Sequence, residues 1–276
     1  MSKKIDLLHS QTVRTLSFEV VATIPALCLL AMSYIPIYVM ITYPMKSTVE
    51  TMVDFWGWPK HFNGYVFAAA WREYRGNMFN TIAVILVTCV ILLLTSVLSG
   101  YVFATLNFPG KETLYLAILS MLMIPSVLTI VPTFTTVMDL GLYDSYWGLI
   151  LPWAAAGQAW GVMFVRNHME GLPHELFESA RIDGCSTLGC LLRIALPLSR
   201  SVMATVIIVK MVDYFNDFTW PLLIIQSSAR QVITVAARAS NGNVACYAIC
   251  SIPLAVLFLC TSRLYIEGMT TGALKA

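Results

Sequence analysis

The stretch PHELFESARIDGCSTLGCLLRIALPLSR, residues Pro173–Arg200, is a polar segment with turn residues inside a chain that is 58% hydrophobic. Its opening proline suits the first turn of a helix, and Glu175 and Glu178 suit the positive end of the helix dipole. Glycine is the usual residue just past a helix C-terminus, because it adopts a left-handed backbone readily. The sequence therefore predicts a helix that runs to Asp183 and ends at Gly184.

A second short helix is predicted from Thr187 to Ile194, and Pro197 is expected to break the chain after it. The aliphatic side chains of this helix are too many for a short loop to bury by itself. Two arrangements accommodate them: the loop lies in a groove of another protein, or it folds back on the rest of the chain. Helix physics alone leaves both arrangements open.

The composition indicates that lipid surrounds most of the chain. The sequence has 276 residues, of which 12% are charged, whereas a soluble domain usually carries about a quarter. The mean hydropathy is +0.74. The net charge of +2 gives no reason to expect a nucleic-acid partner. The seven cysteines include no C-x-x-C pair with a His cluster, so no metal site is expected.

Six segments are candidates to cross a bilayer, which takes about 20 mostly apolar residues. One candidate, Val202–Ile225, which is the fifth along the chain, is interrupted by polar residues at positions 210, 213, 216 and 217. The first is longer than the apolar core of a signal peptide, about 7–15 residues, so it is predicted to be a retained helix. The five clear spans are Val20–Tyr43, Met78–Leu106, Thr113–Val137, Tyr146–Val165 and Val244–Leu264.

Basic residues set the orientation, because short cytoplasmic loops carry an excess of Lys and Arg. With six spans and the N-terminus inside, ten basic residues lie in cytoplasmic segments and six lie outside. Both termini are therefore expected in the cytoplasm. The predicted boundaries are a cytoplasmic N-terminus at 1–17, a first span with its outer loop at 18–77, a core at 78–265 that includes the polar loop 170–199, and a cytoplasmic tail at 266–276.

The first outer loop, Pro44–Asn77, is rich in aromatic residues. Trp56, Trp58 and Trp71 fit an aromatic belt at the membrane surface, where amphipathic rings concentrate. Contact with an external partner is the alternative.

The segment ESARIDGCSTLGCLLRIALP resembles the EAA loop of permease subunits in ATP-binding-cassette (ABC) importers. The family pattern is Glu-Ala-Ala, three residues, Gly, nine residues and Ile-x-Leu-Pro. The matching positions are Glu178, Ala180, Gly184, Ile194, Leu196 and Pro197, with Ser179 in place of the first alanine and Asp183 directly before the glycine.

Two further stretches resemble carbohydrate permeases of the maltose type: NDFTWPL, Asn216–Leu222, and the C-terminal SRLYIEGMTTGALKA. The resemblance extends from Asn80 to the C-terminus. One departure is that the stretch between Pro221 and Pro253 looks shorter than is usual in the family.

The resemblance implies an all-α polytopic membrane protein with six transmembrane helices, the type I ABC importer fold and cytoplasmic EAA coupling helices. In such importers, two homologous permease subunits form the pore and two cytoplasmic ATPase subunits bind ATP and Mg. An extracytoplasmic solute-binding protein delivers a sugar or oligosaccharide, which crosses by alternating access. The chain itself is expected to bind no cofactor or metal, to catalyse no reaction, and to lie in the bacterial cytoplasmic (inner) membrane.

The absence of a phosphate loop agrees with this division of labour. A G-x-x-x-x-G-K-[ST] motif needs a hydroxyl residue after its lysine, but Gly110 and Lys111 are followed by Glu112, and position 105 is threonine. ATP, if it drives this protein, is bound by another chain.

Ionisable residues within the fifth span form a second candidate site. Lys210, Asp213 and Asp217 recur at spacings of three and four, which predicts that they share one helical stripe. Such residues usually face a bundle interior or an aqueous cavity. They form either the wall of a translocation pathway or a Lys210–Asp213 pair that locks the bundle. The pathway candidates are Lys210, Asp213, Tyr214, Asn216, Asp217 and Trp220, in which the aromatic rings are expected to stack on a sugar.

Three other functions compete with this one. A secondary transporter would use Asp213 and Asp217 as proton or sodium sites, and inverted repeats would support it, but the sequence shows none. An intramembrane enzyme would need a nucleophile–base or metal cluster, and apart from the charged stripe the sequence carries no such signature. An ABC importer of a non-sugar solute, such as glycerol-3-phosphate, stays open.

Overall fold

The computed structural model describes residues 23–239 and 243–273, and side chains as far as Thr261. The predicted cytoplasmic N-terminus at 1–17 lies outside the described residues, and the whole tail at 266–276 lies outside those whose side chains are described. The chain divides into two compact units, residues 1–71 with 243–249 and residues 72–242 with 250–276.

The described part of the first unit begins with helix α1, Thr23–Met45, followed by the short helix α2, Thr48–Val53, which Ser47 caps. The loop after α2 is tied down through its backbone: the Lys46 ammonium donates to the carbonyl oxygens of Asp54 and Phe55 at 2.8 Å each. The indoles of Trp56 and Trp58 are 63% and 68% exposed. Their membrane-belt role stays a prediction.

Two long helices, α3 (Tyr65–Thr105) and α6 (Trp147–Glu170), approach each other through glycine. A side chain at Gly157 would come within 3.0 Å of Leu92 on α3. One turn later, a side chain at Gly161 would come even closer to Ser96. Small residues four apart let membrane helices meet backbone to backbone, so this pair of glycines sets the distance between the two helices.

The third predicted span, Thr113–Val137, is not a single continuous helix in the structure. The chain forms α4 (Lys111–Ser120) with a 3₁₀ turn to Met123, and then α5 (Ser126–Asp139), bent by 102°. The bend lies at Ile124 and Pro125, where Ile124 is extended with φ −81° and ψ 117°. Proline disfavours a helical conformation in the residue before it, and hydropathy does not register this effect.

The polar loop contains three short helices: α7 (His174–Ile182), α8 (Thr187–Cys190) and α9 (Leu196–Leu198). A π-helical turn, Leu191–Ala195, joins α8 to α9. The expectation that Pro197 breaks the chain is wrong, because Pro197 lies inside this helical run and the break comes at Ser199. The wide π turn directly before Pro197 replaces the α-helical turn with which a proline ring would clash.

The fifth predicted span, Val202–Ile225, is also broken. Helix α10 (Arg200–Asn216) is followed by α11 (Thr219–Ile224), and the residue between them that ends α10, Asp217, has an extended backbone. Helices α12 (Ile233–Ala239) and α13 (Val244–Ala273) complete the order. Within residues 23–239 and 243–273, four helices are long and apolar enough to cross a membrane, or six if each bent pair counts as one span. The prediction of six spans holds only in that second count.

A buried arginine fixes the start of α4 against α6. Arg166, only 7% exposed, donates to both carboxylate oxygens of Glu112 at 2.9 and 3.0 Å and to Glu170 at 2.7 Å. Its guanidinium also lies 3.7 Å from the ring centre of Tyr115. Planar guanidinium groups suit such simultaneous contacts, so the end of α6 is held by charge and stacking together.

On the opposite side of the core, the carboxylate of Asp144 ties two loops together. It accepts hydrogen bonds from the backbone N–H groups of Gln226 and Ser227 at 3.0 Å and from the Ser227 hydroxyl, and it pairs with Arg230 at 3.2 Å. The Ser227 hydroxyl and backbone bonds, followed by the Gln226 bond and the Arg230 charge, lower the pKa of Asp144 against a smaller opposing effect of burial. Asp144 has a φ of +50°, a conformation that Asp tolerates better than most residues.

Candidate coupling loop and translocation site

The first candidate site, the coupling loop 170–199, is anchored to α3 at Tyr101. Phe177 of α7 is 4% exposed, and its ring centre lies 6.4 Å from that of Tyr101 on α3. The Tyr101 hydroxyl donates to the backbone oxygen of Thr187 at 3.1 Å, at the start of α8. Both short helices of the loop therefore rest on the same residue of α3.

The corner between α7 and α8 is a Schellman motif centred on Gly184. The N–H of Cys185 donates to the carbonyl of Ala180 at 2.8 Å, and the N–H of Gly184 donates to that of Arg181 at 3.0 Å. Gly184 has a φ of +81°, which is the left-handed conformation that this motif requires at its glycine. The predicted end of the helix is confirmed.

The coupling loop exposes several aliphatic side chains among its charged residues. Ile182 is 87% exposed at the end of α7, and Glu178 is exposed one turn before it. Other residues of the family pattern, Ile194 and Leu196, are half-buried, and Pro197 is exposed. The loop therefore combines both arrangements left open by the sequence: it rests on α3 and still presents an apolar surface. The exposed aliphatic side chains are Leu176, Ile182, Leu188, Leu192 and Leu198.

The predicted ion pair of the fifth span is confirmed. The Lys210 ammonium lies 2.9 Å from a carboxylate oxygen of Asp213, and 4.9 Å from the ring centre of Trp160. The Lys210 side chain is 15% exposed and that of Asp213 is 53% exposed. The lysine is thus held between an acid and an aromatic ring, while the acid faces outward from this chain.

The predicted stripe is wrong for Asp217. Because α10 ends at Asn216, Asp217 turns away from the helix, and its carboxylate accepts hydrogen bonds from the Trp153 indole at 2.8 Å and the Trp220 backbone N–H at 3.2 Å. Asn216 is exposed. Trp153 was not among the sequence candidates, because nothing in the spacing of α6 relates it to a residue in another span.

Tyr214 and Trp220 are buried inside this chain, at 7% and 8% exposure. The Tyr214 hydroxyl donates to the carbonyl of Trp153 at 2.8 Å, and its ring stacks on that of Trp153 with centres 5.2 Å apart. The Trp220 indole donates to the carbonyl of Gly148 at 3.1 Å. Contrary to the expectation, the face of the Tyr214 ring that Trp153 covers is not available to stack on a sugar.

A cavity of about 380 Å³ opens beside this cluster, within the size range of small-molecule sites. Its lining combines tryptophan rings, one carboxylate and several hydroxyl groups. Trp220, Trp153 and Asp217 line it from one side, and α5 contributes from the other. The hydroxyl-bearing residues of the lining are Ser126, Thr129, Thr133 and Thr219.

Metal chemistry has no visible site in the part of the chain that the structure describes. Across residues 23–239 and 243–261, no group of three or more His, Cys, Asp or Glu side chains is arranged to hold an ion.

Comparisons with known proteins identify the family. A family model described as "binding-protein-dependent transport system inner membrane component" matches residues 96–266. The arabinooligosaccharides transport system permease protein AraQ of Halalkalibacterium halodurans is 32% identical over 222 residues, covering 76% of this chain and 77% of that protein. The melibiose/raffinose/stachyose import permease protein MelC of Bacillus subtilis is 28% identical over 273 residues, covering 95% and 98%.

A solved structure shares the fold. A crystal structure of a bacterial ABC transporter involved in the import of the acidic polysaccharide alginate contains a chain that superposes with a TM-score of 0.78 at 18% identity, covering 89% of this chain and 95% of that one. The type I importer fold predicted from the coupling loop is confirmed by this match. The chain belongs to the family of inner membrane components of binding-protein-dependent transport systems.

Proposed function

We propose that this chain is one of two permease subunits of an ABC importer that carries a sugar or oligosaccharide across the bacterial cytoplasmic membrane. The observation that carries the proposal is the coupling loop, which is anchored at Phe177 and turned at Gly184, and which leaves Ile182 exposed on its outer side. An apolar surface of this kind on a short helix fits a groove in a partner protein.

ATP and Mg are bound by two ATPase subunits in this proposal, because the chain lacks a phosphate loop. When those subunits close on ATP, they displace α7 and α8. Tyr101 contacts both helices, so the displacement passes to α3. It also passes along α9 and α10, which lead from the loop to Asp217 at the cavity. The loop and the cavity wall are thus two ends of one mechanical path.

The cavity supports a carbohydrate as the solute. Tryptophan rings provide apolar faces with a polar N–H, and hydroxyl and carboxylate oxygens at Thr129, Thr133 and Asp217 suit the many hydroxyl groups of a sugar. The relatives AraQ and MelC are named for oligosaccharide transport, which agrees with this chemistry.

A phosphate solute is the second candidate. The sn-glycerol-3-phosphate transport system permease protein UgpE of Yersinia pestis is 30% identical over 184 residues, covering 63% of this chain and 65% of that protein. The cavity argues against an anion, because Asp217 places a carboxylate in its wall and like charges brought together are repelled.

The remaining partners complete the importer. A second, homologous permease covers part of the exposed apolar surface of α5, which includes Val127, Leu128 and Val131, and an extracytoplasmic solute-binding protein delivers the sugar. The termini and the coupling loop face the cytoplasm. In intact cells that express a variant with Cys185 as its single cysteine, an impermeant maleimide should leave Cys185 unlabelled until the membrane is opened. Labelling from outside would contradict the orientation.

The test of function is solute-stimulated ATP hydrolysis by the complete complex in proteoliposomes. Arabino-oligosaccharides, raffinose and sn-glycerol-3-phosphate are compared, each with its binding protein. We expect an oligosaccharide to stimulate hydrolysis and to accumulate only when ATP is present. If glycerol-3-phosphate is the only one of the three that stimulates hydrolysis, the solute is a phosphate compound and not a sugar. Uptake that follows a proton or sodium gradient without ATP would contradict the importer itself.

A further inference from the structure

Two cysteines lie on either side of the first turn of α8, within the coupling loop. Ser186 caps this helix by accepting a hydrogen bond from the Gly189 N–H at 3.1 Å. Cys185 directly precedes the cap, and Cys190 is the fourth residue of the helix. These are the two positions whose side chains meet in a hydrophobic staple. Local helix geometry therefore directs the two thiols toward each other.

The structure places the two cysteines side by side at this corner. Both cysteines are free, and the Cys185 thiol is close enough to Cys190 to raise the pKa of Cys190 after the larger effect of burial. The Cys185 sulfur lies over the helix turn, because a β-carbon added to Gly189 would come within 2.7 Å of it. Glycine at this position thus leaves the space in which the two sulfur atoms approach each other.

The two thiols differ in access. Cys190 is fully buried, whereas Cys185 is partly exposed at the corner after Gly184. A reagent from the cytoplasm can therefore reach Cys185 directly and Cys190 only through Cys185. Burial, followed by the neighbouring Cys185 thiol, raises the pKa of Cys190 against a smaller lowering effect of Arg181, which keeps Cys190 as the less reactive thiol form until Cys185 has been modified.

We propose that Cys185 and Cys190 form a reversible thiol–disulfide modification site in the coupling loop, with a small-molecule disulfide such as oxidised glutathione as the oxidant. Cys185 acts as the attacking thiol and Cys190 as the resolving thiol. The formation of the bond does not depend on the proposed transport function.

The exchange is balanced in two steps. The Cys185 thiolate attacks one sulfur of the small disulfide, forming a mixed disulfide and releasing one small thiol. The Cys190 thiolate then attacks the Cys185 sulfur, which forms the intramolecular bond and releases the second small thiol. The two protein thiols are oxidised, the small disulfide is reduced by the same two electrons, and the two protons end on the released thiols.

Such a bond would hold the start of α8 against the corner at Gly184. The backbone at this corner then loses conformational freedom at the point where, under the proposed function, the loop contacts the ATPase. An oxidised importer is expected to take up less solute than the reduced one, and a reducing agent should restore the rate.

The experiment uses membranes that contain the full-length chain. They are treated with oxidised glutathione, free thiols are alkylated, and the protein is denatured and digested with trypsin. Cleavage after Arg181 and Arg193 yields the peptide IDGCSTLGCLLR, which holds both cysteines and no others. We expect this peptide to be lighter by two hydrogen atoms, unalkylated, and restored by dithiothreitol.

Two variants identify the roles of the two cysteines. Cys190→Ser should accumulate glutathione on residue 185, because no resolving thiol remains. Cys185→Ser should leave Cys190 unmodified in the membrane and alkylated only after denaturation. The proposal is overturned if the unaltered chain carries glutathione on Cys185 while Cys190 stays a free thiol, or if both cysteines are recovered fully alkylated after treatment.

Discussion

Replacing Gly184 by valine separates backbone strain from steric clash at the corner of the coupling loop. Gly184 has a φ of +81°, and no atom lies within 4 Å of the position that a β-carbon would occupy. The valine side chain therefore fits, and only the left-handed backbone resists it. Asparagine tolerates this conformation, so Gly184→Asn adds a side chain of similar size with little strain.

The expected magnitude follows from the backbone alone. A β-branched residue held in the left-handed region costs roughly 1–3 kcal/mol. If the ATPase binds only the loop with its native corner, that cost lowers the apparent affinity by the same free energy. The affinity of the ATPase for Gly184→Val should then fall about 5- to 150-fold, while Gly184→Asn stays close to the original.

The assay is co-purification of the ATPase subunit with the permease, together with solute uptake, for variants present at equal levels in the membrane. Gly110→Val is the matched control, since Gly110 has a φ of +80° with equally empty surroundings but lies outside the coupling loop. It should carry the same strain and retain the ATPase. Equal ATPase retention by Gly184→Val and Gly184→Asn would refute the reasoning.

Three further predictions concern the membrane helices and the outer loops. Gly157→Ala should lower the free energy of unfolding by about 1–3 kcal/mol, because its β-carbon would lie 2.6 Å from the Tyr214 hydroxyl. Thermal unfolding in detergent measures this loss. Gly76→Ala is the control, because nothing lies within 4 Å of a β-carbon at that position. Lys210→Ala should reduce uptake several-fold, because removing only the lysine of the ion pair at 2.9 Å leaves the Asp213 carboxylate unpaired. Adding Asp213→Asn to this variant should recover part of the loss. Equal uptake by both variants and the original would exclude a role for the pair. The lowered pKa of Asp144 means that its stabilising effect is complete above the unfolded-state pKa of about 3.9 and is lost as the pH falls through the lower folded value. The protection factors of the Gln226 and Ser227 amides against hydrogen exchange should therefore fall only below about pH 4. Asp144→Asn should remove this pH dependence of the protection factors.

Local features of the loop were predictable from the sequence because their causes are local. The end of α7 at Gly184 and the ion pair between Lys210 and Asp213 each depend on interactions within one or two helical turns. The family pattern added the position of the loop in the fold. Each of these signals spans fewer than about 20 residues, and in each the deciding contacts are close in sequence.

The features that the sequence did not predict depend on contacts between distant segments or on backbone angles. The indole of Trp153 reaches the carboxylate of Asp217 across 64 residues, and no spacing rule links two separate spans. The 102° bend between α4 and α5 arises at Pro125, in a predicted span without charged residues, so a hydropathy average predicts one continuous helix there. Asp144 joins two loops that are 82 residues or more apart along the chain.

The most direct test of the central claim is a photo-reactive amino acid placed at Ile182, which is 87% exposed on the coupling loop. In membranes that contain the complete importer, illumination should join this chain to the ATPase subunit, and the adduct should be recognised by its mass and by both proteins' peptides. Met52, 82% exposed in the predicted outer loop, is the matched site that should not react with the ATPase. An adduct from position 52 and none from position 182 would contradict the account.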